Sequence, residues 1–184
     1  MDSATKKTFW DHAGIAGLLS GMISSANMFL GQYLGTMHLS AIMTTIIGSI
    51  MWLAETVGCI GLMYFYMKKF SLVFPQEGIK VVYRMGVAIA FFSALIYSTV
   101  TFANLAYISA DFYTEQYTLL MQQLASVMDS NSKAAMTKVL ANMPQIAFFG
   151  NLIYCFIFGT VAASIISRTM TPKNSSSENI TDEQ

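Results

Sequence analysis

The sequence predicts an all-α integral membrane protein: four transmembrane helices in a bundle, with an extracytoplasmic helical hairpin between the third and the fourth. Three observations predict it. Four apolar runs, at about residues 13–34, 40–67, 85–108 and 144–167, each reach the roughly 20 residues that cross a bilayer. Charged residues make up 11% of the chain, against about 25% in soluble domains, and they gather outside the runs. Lysine and arginine are dense on alternate sides of the runs, the pattern of the positive-inside rule. A chain of 184 residues with this layout makes a single four-helix membrane domain, residues 1–170.

In the first run, Gly17, Gly21 and Ser25 recur every fourth residue. Such a face lets two helix backbones approach closely, either inside the protein's own bundle or in a dimer. The N-terminal segment has two lysines but no small-residue cleavage site closing a short apolar core, so the run is read as a retained span. Residues 35–39 are too few for anything but a tight antiparallel turn into the second run. His12 and His38 fall at span ends and are read as interfacial.

The second run ends on Lys68 and Lys69 and carries one acid, Glu55, near its middle. A carboxylate there costs on the order of 2.5–3.5 kcal/mol on insertion scales. The segment KFSLVFPQEGIKVVYR that follows, punctuated by Pro75 and Gly78, reads as a loop whose apolar residues lie at the membrane surface. No glycine or proline occurs between Val87 and Met143, so the third helix is free to continue past the membrane. Tyr113, Tyr117, Leu120, Met121, Leu124 and Met128 repeat at helical spacing, opposite Asp111, Glu115, Thr118 and Gln122. These predict an outer helix at about 111–128, a break at 129–132, and a second helix at about 133–143 capped by Ser132. Pro144 suits the start of the fourth run. The tail, residues 171–184, is polar and predicted to be disordered; its N-x-S/T sequons at Asn174 and Asn179 are read as chance.

Eight of the ten lysines and arginines fall on the side of the two termini, and only Lys133 and Lys138 on the other. Both termini are therefore expected in the cytoplasm, with the outer helices outside.

The second half of the chain, about residues 70–170, resembles a bacterial four-span membrane family catalogued as domain of unknown function 4199. The resemblance rests on Phe74 ahead of the third span, Gly86 and Tyr97 within it, and Asp111-Phe112-Tyr113 after it. It continues through a Met/Gln-rich outer helix to Met143-Pro144, Gly150, Tyr154 and Gly159. The outer segment here is less acidic than the family's, and Glu55 is not part of the family's pattern. The resemblance implies four helices in a bacterial inner membrane and no particular activity.

Composition excludes several function classes. Zero formal net charge speaks against a nucleic-acid partner. There is no GxSxG, P-loop, HExxH or GxGxxG motif and no CxxC or Cys/His cluster, so no catalytic residue, cofactor or metal ligand is assigned. Cys59 and Cys155 lie in apolar runs and are read as small packing residues; the abundant methionine is read in the same way. The candidate polar site is Glu55 with Tyr97, Tyr154 and Ser24, which fall at the same depth when the spans are counted at about 1.5 Å per residue. Asn27, Asn104 and Asn151 are secondary polar positions that want partners in lipid surroundings. Gly48 and Gly58 share the face of Glu55 and are read as admitting a neighbouring helix.

Two functions fit. The first is a non-enzymatic scaffold or assembly subunit, binding a membrane protein partner or a second copy through its outer hairpin and small-residue faces, with Glu55 as interhelical glue. The alternative is a small proton-coupled carrier or channel subunit using Glu55, since an isolated intramembrane acid can take up and release a proton.

Overall fold

Hydrogen-bonding residues set the helix starts. The Thr5 amide donates to the Asp2 carboxylate at 2.7 Å, so α1 begins at Ser3 and runs to Gly35. The Met43 amide donates to the Ser40 hydroxyl at 3.4 Å and opens α2, Ala41–Val73. After the 3-10 turn Pro75–Glu77, α3 covers Gly78–Ala103 and a π-helical turn, Asn104–Ile108, extends it. Then come α4, Ala110–Leu124, α5, Ser130–Ala141, and α6, Met143–Thr169, with Pro144 in its first turn. This computed structural model describes residues 2–37, 39–124 and 128–170, all regular structure among them helical. The tail beyond 170, His38 and residues 125–127 lie outside the described residues, and with them the predicted disorder of the tail and the expected interfacial place of His38.

Four of these elements are long and apolar enough to cross a membrane: α1, α2, α3 taken from Pro75 to Ile108, and α6. The chain is thus a multi-pass, all-helical membrane protein. The 33 residues of α1 measure about 50 Å, well beyond the roughly 30 Å of hydrocarbon. Here the structure corrects the expected surface loop. Helix α2 continues through Lys68 and Lys69 to Val73, and α3 begins seven residues before Met85. Phe70, fully buried, follows Met63 and Met67 at helical spacing on the packed face of α2. The lysines point away from that face, so charge there is no reason for the helix to stop. The reversal is compressed into Phe74–Gly78, where Gly78 takes φ 71°, the left-handed region that a residue without Cβ enters freely.

Helix α3 is the centre of the bundle. It packs along α6 on one side and along α1 on the other, while α2 lies mainly against α1 and touches α3 and α6 less. The main apolar core cluster sits at the lysine-rich end: Phe9, Ala13 and Ala16 of α1, Met63, Met67 and Phe70 of α2, Val82, Met85, Ile89 and Ala90 of α3, and Ala163 and Ile166 of α6. Four glycines make the close approaches. A Cβ on Gly86 would stand 2.6 Å from Ala163 Cβ, and one on Gly159 2.6 Å from Ala90 Cβ; one on Gly21 would meet Ile96 at 2.8 Å and one on Gly17 would meet Phe92 Cβ at 2.5 Å. The small-residue face of α1 is thereby used inside the bundle, with Ser25 buried beside it and donating to the Gly21 carbonyl at 2.7 Å. Gly48 and Gly58 differ from expectation: nothing lies within 4 Å of a Cβ at either. Lipid is as apolar as leucine, so small residues on α2 do not by themselves draw in a neighbour.

The third helix does not run on unbroken. The Ser109 amide donates to the Asn104 carbonyl at 2.8 Å, a bond five residues back that makes the π turn, and the Ser109 hydroxyl donates to Asn104 Oδ1 at 2.9 Å. The chain then bends at Ser109 into α4. The second outer helix starts three residues earlier than expected, at Ser130, because Asp129 and not Ser132 caps α5: the Ser132 amide donates to Asp129 Oδ1 at 2.8 Å. Hydrogen bonding from Ser132, first from its side chain and then from its backbone amide, holds the Asp129 carboxyl below its ordinary value of 3.8. Helix α4 adjoins the π turn, and neither α4 nor α5 has a buried residue.

Candidate functional site

Beyond the core, α2 and α6 part while α1 and α3 stay together. Helix α2 has no buried residue before Met63, and α6 none before Ala163. The space left among the four helices is a cavity of about 130 Å³. A single water needs about 10–15 Å³ by the same kind of measure, so several fit. Its floor, toward the lysine-rich end, is made by Met63, Ile89, Ala90 and Ala162, and its walls include Trp52, Tyr97, Tyr154 and Phe158. Trp52, Tyr154 and Phe158 are exposed, which puts the mouth between α2 and α6.

Glu55 lines this cavity and is half-buried. Asn27 Nδ2 of α1 donates to its Oε2. Ser24, Tyr97 and Tyr154, expected at the depth of Glu55, line the same cavity without bonding to the carboxyl group. The expected preference for a tyrosine partner is therefore replaced by an amide on α1. The reason is rotation: Glu55 lies on the flank of α2 that faces α1, the helix α2 packs along. Cys59, one turn on, makes the adjoining contacts, with its thiol 3.8 Å from the Ser24 hydroxyl and 3.8 Å from the Ser20 carbonyl. The two cysteines, read from sequence as packing residues, both border the cavity and are free thiols.

Sequence reasoning passed over Ser20. Its Oγ is buried, borders the cavity and has no hydrogen-bond partner, while the residue is 3% exposed. The tandem small-residue pattern that skips from Gly17 to Gly21 gave no reason to single it out.

A second polar cluster lies nearer the outer helices. Asn104 is fully buried, and its Nδ2 donates to Gln32 Oε1 at 3.2 Å and to the Tyr113 hydroxyl at 3.4 Å. Sequence flagged Asn104 as needing a partner but not Gln32 or Ser109, because a polar residue close to a span end reads as interfacial. Asn151, the third flagged amide, is half-buried on α6 and joins neither cluster.

Chemically, the cavity offers one carboxyl group, one donated amide bond, hydroxyls, thiols and aromatic faces. Among the described residues no three His, Cys, Asp or Glu side chains come together as metal ligands. Among the described residues no lysine, arginine or histidine borders the cavity. No protein-family model, no curated protein and no solved structure matches the chain, which leaves the geometry to carry the functional reading.

Proposed function

We propose that this protein is a small proton-coupled carrier or channel subunit that works through Glu55 and is not an enzyme. One observation carries the reading: the Glu55 carboxyl group borders a cavity with room for water. A carboxyl group that only tied helices together would gain from dry packing on every side, since each unpaired polar atom costs energy in a low-dielectric interior. A proton relay needs the opposite, a carboxyl group in reach of mobile water. The floor of Met63, Ile89, Ala90 and Ala162 closes one side, as in a carrier with one gate shut. The test is proton flux into liposomes holding the purified protein and a pH-sensitive dye. Glu55→Gln is expected to abolish the flux and leave thermal stability unchanged; flux that survives the substitution sinks the reading.

The setting proposed is a bacterial inner membrane with both termini cytoplasmic. The lysine and arginine asymmetry supports the orientation, and the resemblance to the family named above supports the organism class. A cysteine placed at Asn131 should react with an impermeant thiol reagent in intact cells, and one at Gln76 should not; the reverse result inverts the topology.

A scaffold or assembly role is the second reading. It is supported by the outer half of α2, where Ile42, Ile46, Ile50, Leu53 and Val57 are all exposed, and by α4 and α5, which bury no residue. Its partner would be another membrane protein or a second copy of this chain. Crosslinking in native membranes at Ile46 should capture a defined adduct; adducts with lipid alone count against this role.

A further inference from the structure

The groups around the cavity narrow the ligand class, and the argument rests on Glu55 as the working group. We infer that the cavity receives an amphipathic monocation, an amine or quaternary ammonium head on an apolar body, entering from the bilayer between α2 and α6.

Charge comes first. Among the described residues, the Glu55 carboxyl group has the neutral Asn27 amide as its hydrogen-bond partner, and no basic side chain borders the cavity. A single positive charge supplies the missing counter-ion in a region where unpaired charge is costly. Anions would meet the carboxylate without compensation, and a divalent metal would find too few ligands.

The walls favour the same class. Tyr154 and Phe158 stack with centroids 6.4 Å apart and ring planes 18° apart, giving a continuous aromatic strip at the mouth. Trp52 stands one turn from Glu55 on α2, and Tyr97 borders the cavity from α3. Aromatic faces attract ammonium groups, quaternary ones above all. Trp52 and Tyr154 are 59% and 65% exposed, so the apolar body of a ligand can continue from the mouth into lipid.

Size and hydrogen bonding set the head. The volume of about 130 Å³ is close to that of an engineered cavity of about 150 Å³ that holds benzene, enough for a trimethylammonium or aminomethyl group. The unpartnered Ser20 hydroxyl offers an acceptor to a primary amine, so primary and quaternary heads are both admitted, the first with one extra bond.

The test is equilibrium binding of tritiated benzyltrimethylammonium to the full chain in nanodiscs of neutral phosphatidylcholine. Saturable binding is expected, displaced by benzylamine and not by benzyl alcohol, its neutral analogue. Glu55→Gln should weaken it at least tenfold, and Trp52→Leu should weaken it with the carboxyl group intact; Glu115→Gln, on α4, should leave it unchanged. Equal binding to the parent and the Glu55→Gln protein, or displacement by benzyl alcohol as effective as by benzylamine, overturns the inference. Absence of binding overturns it too, and the liposome assay then separates the cases. Proton flux that still needs Glu55 leaves the functional reading standing with a different ligand, whereas flux independent of Glu55 removes both.

Discussion

The lysine-rich half of the bundle and the opposite half solve different problems. In the first, all four spans meet around Met67, Phe70, Met85 and Ala163, each fully buried. Glycine against alanine sets the spacing of α3 and α6, twice, at Gly86–Ala163 and Gly159–Ala90. In the second, α1 and α3 stay paired, α2 and α6 stand apart, and polar side chains occupy the interior: Glu55 with Asn27, and Asn104 with Gln32. Within a bilayer there is no hydrophobic force to close the open half, because lipid covers apolar helix faces as well as another helix does. The difference shows that all four helices close on one another at one end, which leaves the other end free to hold a cavity and a carboxyl group.

The largest effect is expected where the contacts are tightest. Gly86→Leu and Gly159→Leu each force a side chain into Ala163 or Ala90 and should cost 1–3 kcal/mol or more, about the range for overpacked cores, read as a fall in thermal midpoint in detergent. Gly58→Ala meets open space and should be neutral or gain up to about 1 kcal/mol from helix propensity. Equal loss at Gly58 and Gly86 would erase the contrast between the halves.

Within the open half, Asn104→Ala should do most harm. It strands the Gln32 amide and the Ser109 hydroxyl, a loss of about 1–3 kcal/mol. It also removes the side-chain bond that accompanies the π turn. Backbone amide shifts of Ser109 that stay unchanged in Asn104→Ala would show that the turn does not depend on that side chain.

A smaller loss, on the order of 1 kcal/mol, is expected for Glu55→Leu, which leaves the Asn27 amide without its acceptor. A double-mutant cycle with Asn27→Leu should return a coupling of about 0.6 kcal/mol, the usual size of an interhelical hydrogen bond in a membrane bundle. A coupling of zero would mean that the two side chains do not meet in the bilayer.

The smallest effect is local. The Asp129 carboxyl is held below 3.8 by the Ser132 side chain and by the Ser132 amide it caps. Because its folded value lies below its unfolded one, the cap contributes above about pH 4 and is lost as the pH falls through the folded value. An NMR titration of the Ser132 amide should show a midpoint below 3.8, absent in Asp129→Ala; a midpoint at or above that value would argue against the cap. Asp2 caps α1 in the same way at the other end, so this device does not distinguish the halves.

Sequence alone determined the number of long apolar helices and their order, because hydropathy and residue count report position along a helix axis. It also placed Ser24, Tyr97 and Tyr154 at the level of Glu55, and all three border its cavity. Only the tertiary structure decided rotation and separation. That Glu55 turns to Asn27, that Gly86 and Gly159 touch neighbours while Gly48 and Gly58 face open space, and that α2 continues through Lys68 to Val73 all depend on which faces meet. A span that is apolar on every side carries no stripe to mark its packed face, and in lipid the choice rests on close shape and a few polar contacts that neighbouring helices must first bring together.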